Sequence, residues 1–263
     1  MAIRSTLHYA AALLRMNLRA AFARPVVALT TAAFMFGNNL IWYLVWVIYF
    51  ANFSNLRGWV GADLALLLGI VAWAFGLAVL LAGGGREIAQ AIADGGLDVH
   101  LGRPRHPLPS LLATRSLPSG LGDMVSALVF WLGFAGRSPA DLPFLLLVAT
   151  ASSVVVVATM VATQCLAFWL PRAATLCEEL FQQFLMVCFY PQHPFGFMAR
   201  LVLFTAFPAA FVGLLPVEAV RDGDIAKALA VMAAALIYAA LAAAVFARGL
   251  RRYASGNRLI EWR

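Results

Sequence analysis

The residues of this sequence that could carry chemistry are few and scattered. The four histidines, His8, His100, His106 and His193, stand singly, and His100 and His106 lie six apart in a proline-rich stretch that reads as loop. Cys165, Cys177 and Cys188 are odd in number, lack metal-ligand spacing and fall in or near apolar runs, so buried free thiols are expected. No phosphate-cradling loop and no nucleophilic serine in a Gly-x-Ser-x-Gly turn occurs, and Gly83-Gly84-Gly85 is a lone run expected to give a flexible helix exit. These patterns assign no catalytic, cofactor-binding or metal-binding residue.

Proton-driven transport would need acids or histidines within apolar spans, where charge is costly and kept for function. The acids avoid the middles of the clear spans. Asp63 and Asp141 sit at span boundaries, Asp123 lies about two turns into a span and within reach of its interface, and Glu178 and Glu179 fall in a first helical turn, where the helix dipole tolerates anions. The milder polar residues Asn38, Asn39, Thr159, Thr163 and Gln164 remain as candidates for lining a pathway. Helix packing is the competing role, since Thr159 and Thr163 share one helix face.

The elements that would position these residues follow from composition. Of 263 residues, 63% are hydrophobic and 12% charged, against roughly 25% charged in soluble domains. With a mean hydropathy of +0.86, much of this surface must face lipid, and the chain is read as an all-α integral membrane protein. A crossing helix needs about 20 apolar residues. Segments 26–50, 64–82, 117–135, 142–170 and 225–247 qualify, and 176–190 is a shorter sixth, stopped by Pro191.

Segment 201–220 is apolar but interrupted by Pro208 and Pro216, which would break it into a re-entrant, outer-leaflet helical pair; a single kinked helix is the alternative. Charge placement decides the count. With six spans, only Arg57, Arg137, Arg200, Arg221 and Lys227 face outward, and the other fourteen of the 19 basic residues face the cytoplasm with both termini. A seventh span would turn the arginine-rich tail outward. Topology thus accounts for the net charge of +7 without a nucleic-acid partner.

Residues 1–24 alternate Leu7, Leu14, Leu18 and Phe22 with Arg15, Asn17, Arg19 and Arg24, suiting an amphipathic interfacial helix, and the arginines interrupt the apolar core that a cleavable leader would need. The chain is expected to be a single transmembrane domain, 1–263, with a cytoplasmic loop at 83–115 and an extracytoplasmic or re-entrant region at 191–224.

The least apolar stretch, "REIAQAIADGGLDVHLGRPRHPLP" (86–109), should form two short helices separated by Asp94-Gly95-Gly96 and stopped at Arg103-Pro104, a knob with exposed leucine and arginine. Its run "IADGGLDVHLGRPRHPL" resembles the first cytoplasmic loop of ABC transporter permeases of the type-two export class, in the branch long treated as an uncharacterised permease family. Ile92, Gly96, Leu97, Asp98, Leu101, Arg103, Pro104 and Leu108 occupy that pattern, and "LFTAFPAAFVGLLPVEAV" matches a later segment through Pro208, Phe211 and Pro216.

The resemblance implies a permease subunit of an ATP-driven exporter located in the bacterial inner membrane. Its partners would be a dimer of ABC ATP-binding subunits, docked at Ile92, Gly96, Leu97, Asp98, Leu101, Arg103 and Pro104, and a second permease, homologous or identical. ATP and Mg would sit on the partner ATPase, with no cofactor on this chain. A hydrophobic or amphipathic solute fits the barely charged interior. A non-transport assembly or sensory subunit and an intramembrane lipid-modifying enzyme are the other readings.

Overall fold

A computed structural model of the chain describes residues 2–52, 59–102, 106–170, 172–191 and 196–253. Among these residues the secondary structure is helical, without strands. Helix α1 (Ala2–Ala21) leads into α2 (Pro25–Asn52), with Pro25 at the first helical position, where its missing N–H costs nothing. Helix α3 (Gly61–Ala82) starts where the Asp63 carboxylate accepts the Val60 N–H at 3.1 Å. It passes through one 3-10 turn, Gly83–Glu87, into α4 (Ile88–Ala93), so that 33 residues from Gly61 to Ala93 form one rod.

Short helices α5 (Asp98–Leu101) and α6 (Pro107–Leu112) follow, and then α7 (Ser119–Val129), which is prolonged by a π-helical turn to Phe134. Helices α8 (Leu142–Gln164), α9 (Ala174–Cys188), α10 (Phe197–Phe204), α11 (Leu214–Asp222) and α12 (Ile225–Leu250) complete the chain. Left-handed Gly223 ends α11, and Asp224 caps α12 by accepting the N–H groups of Ala226 and Lys227.

Helix α3 is the centre of the bundle. It packs on α7 and α8, with α2 outside α7 and α12 outside α8. Of its most apolar window 78% is buried, against 11% for α2 and 28% for α12, which places those two at the periphery. The close α3–α7 contact needs glycine. A Cβ at Gly76 would press on Asp123 and the Gly120 carbonyl, and one at Gly122 would meet the α2 backbone at Ala32.

Among the described residues, four helical units, Pro25–Asn52, Gly61–Ala93, Pro139–Phe168 and Ile225–Leu250, are long and apolar enough to cross a membrane. The α7 unit, Ser119–Phe134, and the 15-residue α9 traverse the same bundle but reach only about 24 Å or less at 1.5 Å per residue. These are the two spans of the sequence-based six that length alone does not support. Their shortness reflects early endings, α7 at the turn before Gly136 and α9 at Tyr190-Pro191.

Between α9 and α12, α10 ends at Phe204, a 3-10 turn follows at Ala209–Phe211, and α11 begins at Leu214. The freed backbone groups find partners. The Tyr238 hydroxyl lies 2.9 Å from the carbonyl oxygens of Phe204 and of Thr205, and the Ser152 hydroxyl donates toward the Phe211 carbonyl at 3.1 Å. Pro208 stands at this break as expected from the sequence. Pro216 does not: it is the third residue of α11, where a proline fits the first turn, so it opens that helix and breaks none.

Candidate functional site

The charged stretch after α3 folds as a knob of two short helices, α4 and α5. Gly95, at φ +73°, supplies the left-handed residue that ends α4 and reverses the chain. The glycine run before it is no flexible exit. Gly83, Gly84 and Gly85 are buried, and a side chain on Gly84 would collide with the Leu111 carbonyl and Thr114. The knob therefore prolongs α3 rigidly.

The expected docking residues divide by burial, and this corrects the sequence reading. Ile92 is 3% exposed and Leu97 is 0% exposed. Both sit in an apolar cluster with Ile88, Val161, Cys165 and Phe246, side chains of α4, of α8 and the turn after it, and of α12. A fully buried leucine contributes roughly 1.5–3 kcal/mol, so these positions bolt the knob to the bundle instead of facing a partner. Ile92 lies in the six-residue α4 and Leu97 just before the four-residue α5, both too short for periodicity to tell a buried face from an exposed one.

What faces outward is Val99, 63% exposed, and Leu101, 38% exposed. Gly96 packs against Ala91. The Asp98 carboxylate lies against Tyr253, just beyond α12; burial first, and then that carboxylate, push the Tyr253 phenol up to about 12. Arg103 and Pro104 lie outside the described residues. On the far side of the knob, Asn17 of α1 donates to the Ala113 carbonyl at 2.8 Å, tying α1 to the chain after α6.

Beside the knob lies a cleft of about 540 Å3 lined by Arg86, Glu87, Arg115, Gln164, Glu178 and Glu179, among others. Arg86 pairs with Glu178 of α9, and Arg115 pairs with Glu87. Gln164, fully buried at the end of α8, accepts the Ala89 N–H at 3.2 Å and donates to Glu178 at 3.1 Å, and Gln182 donates to the same carboxylate at 2.9 Å. Glu178 is thus the joint at which α3–α4, α8 and α9 meet. Sequence reasoning missed it because its partners are 92 and 14 residues away; the one available signal was a glutamate pair opening an otherwise apolar helix.

The proposed pathway residues also separate. Asn39 is buried and donates to Asp123 at 2.7 Å and to Ser126 at 3.2 Å, joining α2 to α7. Asp123 is 2% exposed, so it reaches no interface. Gln164 belongs to the joint just described. Thr159 and Thr163 line an apolar cavity of about 320 Å3 with Leu180, Phe207, Pro208 and Tyr238, and their hydroxyls turn back onto α8 carbonyls. Asn38 faces outward from α2. Among the described residues no group of three or more His, Cys, Asp or Glu side chains could hold a metal ion, and the three cysteines are buried and free.

No curated protein and no solved structure matches this chain. A family match spans residues 36–256 and is described as ABC-2 family transporter protein. That range takes in all four long apolar units except the start of the first, together with the knob and its clasp at Tyr253. The chain is a multi-pass membrane protein and belongs to the ABC-2 transporter family.

Proposed function

We propose that this chain is the membrane permease of an ATP-driven exporter, with ATP and Mg bound by separate ATP-binding subunits that dock on the knob. The observation that carries the reading is mechanical. The 33-residue helical run Gly61–Ala93 joins the centre of the bundle to the knob through a single 3-10 turn, and Ile92 and Leu97 fix the knob to α8 and α12. A push on Val99 and Leu101 is therefore delivered to three membrane helices at once.

In this arrangement the chain crosses the bacterial inner membrane six times, with α7 and α9 as the short spans, α1 along the cytoplasmic interface and both termini cytoplasmic. The α10–α11 segment dips in from the outer side. A second permease completes the path. The apolar cavity beside Pro208 and Tyr238, with its hydroxyls already engaged within the protein, favours a hydrophobic or amphipathic solute over an ion.

The test is affinity purification of the full chain from gently solubilised native membranes, followed by identification of stoichiometric partners and an ATPase assay. An ATP-binding subunit should co-purify with the wild type and be lost on Val99→Asp/Leu101→Asp. Absence of any such subunit, under conditions that preserve other membrane complexes, would sink the proposal.

A further inference from the structure

We infer that the apolar cavity beside Pro208 and Tyr238 is the acyl-chain pocket of a binding site for an anionic phospholipid, whose phosphate is held by Arg248 and Arg252. The inference rests on the proposed orientation, which sets the end of α12 at the cytoplasmic interface, and it gives the cavity an occupant of stated charge. The cavity exists because small residues face it: Ala158 and Ala162 of α8, Ala206 at the break and Ala242 of α12 all line it. Close-packed interiors leave few such voids, and an apolar one stays dry. Its rim includes Leu241, 52% exposed, and the exposed Ala206, so it opens on the outside of the bundle, where hydrocarbon is the surrounding medium. At about 320 Å3 it is near the lower limit for ligand pockets, so it takes part of a lipid and not the whole.

The arginines supply the other half. Arg248 and Arg252 follow Leu241 by two and three helical turns, so they continue its line toward the interface, about 10 and 16 Å away. Both are exposed, and neither is paired with an acid among the described residues. The turn that carries Arg252 is held in place. Tyr253 lies against Asp98 of the knob and packs edge-on to Phe168, which packs in the same way on Phe246 of α12. Guanidinium groups at headgroup level pair with phosphate oxygens and draw anionic lipid. A phospholipid standing along α12 with its phosphate on this pair lowers an acyl chain past Val245 and Leu241 into the cavity. Arg15 and Arg19 of α1 are exposed as well, but they sit on another helix and line no part of this cavity.

The experiment places the full-length protein in phosphatidylcholine vesicles with a trace of phosphatidylglycerol that carries a photoactivatable diazirine near the end of one acyl chain. Adducts are mapped by mass spectrometry. They should fall on the cavity wall, at residues 158–163, Leu180 or Phe207. A phosphatidylcholine probe with the same acyl chains should be captured there about 10- to 30-fold less, the range expected for two arginine contacts to an anionic lipid. Arg248→Gln/Arg252→Gln should lower capture of the phosphatidylglycerol probe by the same factor. Ala206→Phe, which fills the mouth from the exposed rim, should remove the wall adducts. Arg15→Gln/Arg19→Gln should leave capture unchanged.

Equal capture of the two probes overturns the inference, and so does an equal loss in the α1 variant, because either result means general attraction to a basic face. Adducts found only outside the cavity, such as on the exposed Val26 or Phe34 of α2, overturn it too. Displacement of the probe by inorganic phosphate does the same, since the site would then be one for the free anion. None of these readouts needs an ATP-binding subunit, so failure to recover one strikes the proposed function and leaves the lipid site standing.

Discussion

Arg86, at the exit of α3, and Glu178, in the first turns of α9, are 92 residues apart in sequence and form an ion pair beside the knob. Their side chains are 29% and 30% exposed, so the pair itself stabilises the fold by no more than about 1 kcal/mol. Its value lies in position. It is the polar link between the knob and α9, which otherwise leans on the bundle through Cys177, Phe181 and Phe184.

Arg86→Gln and Glu178→Gln should each leave membrane abundance unchanged and lower transport-coupled ATP turnover about tenfold, within the usual span of coupling free energies. The charge-reversed double variant Arg86→Glu/Glu178→Arg should recover part of the loss. Reconstituted ATPase and transport assays check this; a double variant no better than the singles would show that the pair carries no coupling.

The knob's two faces should behave differently. Leu97→Ala leaves a cavity among Ile88, Ile92 and Phe246 and should cost about 2–5 kcal/mol, seen as lost abundance and a lowered melting temperature. Val99→Asp/Leu101→Asp, on the exposed face, should leave stability within about 0.5 kcal/mol of wild type and remove the partner. Thermal unfolding in detergent combined with co-purification separates the two; partner loss from Leu97→Ala at full stability would contradict this assignment.

The contrast bears on what the sequence could convey. The long apolar runs, the break at Pro208 and the Asp94-Gly95-Gly96 reversal were legible, because hydropathy over 20 residues and glycine's left-handed backbone are local properties. The facing of Leu97, the role of Gly83–Gly85 and the joint at Glu178 were not, since each depends on residues brought in from other helices. Leu111, Thr114 and Met160 close over the glycines, and Gln164 reaches Glu178 from α8. Asn38 and Asn39 are adjacent and chemically identical, yet 100° of helical rotation sends one to α7 and the other outward.

Asp123 supplies a test of whether a buried acid works here. Asn39 donates to its Oδ1, while its Oδ2 is buried without a hydrogen-bond partner among the described residues. No arginine or lysine is paired with it in the described salt bridges. In this setting Asp123 ties α7 to α2 through its bond with Asn39. Asp123→Asn should therefore retain transport within about twofold of wild type, whereas Asn39→Leu strips the carboxyl of its donor and should destabilise by about 1–3 kcal/mol. Loss of transport in Asp123→Asn at full stability would mean that the proton matters.

The segment between α9 and α12 yields the sharpest topological prediction. Its broken end is held by Tyr238, whose hydroxyl serves the carbonyls of Phe204 and Thr205, and by Ser152 at Phe211. At its base, Arg221 lies 3.7 Å from Asp63 and 2.9 Å from Asp222, while Lys227 lies 3.0 Å from Glu218, so α11 is pinned to the ends of α3 and α12. A dipping segment keeps both of its flanks on one side of the membrane. Met198→Cys and Ile225→Cys, 72% and 68% exposed, should both react with an impermeant thiol reagent from outside the cell. Tyr238→Phe removes the hydroxyl from two carbonyls at the break, at about 1–3 kcal/mol. Labelling of only one flank from outside would mean that the segment crosses, and the six-span topology would fall with it.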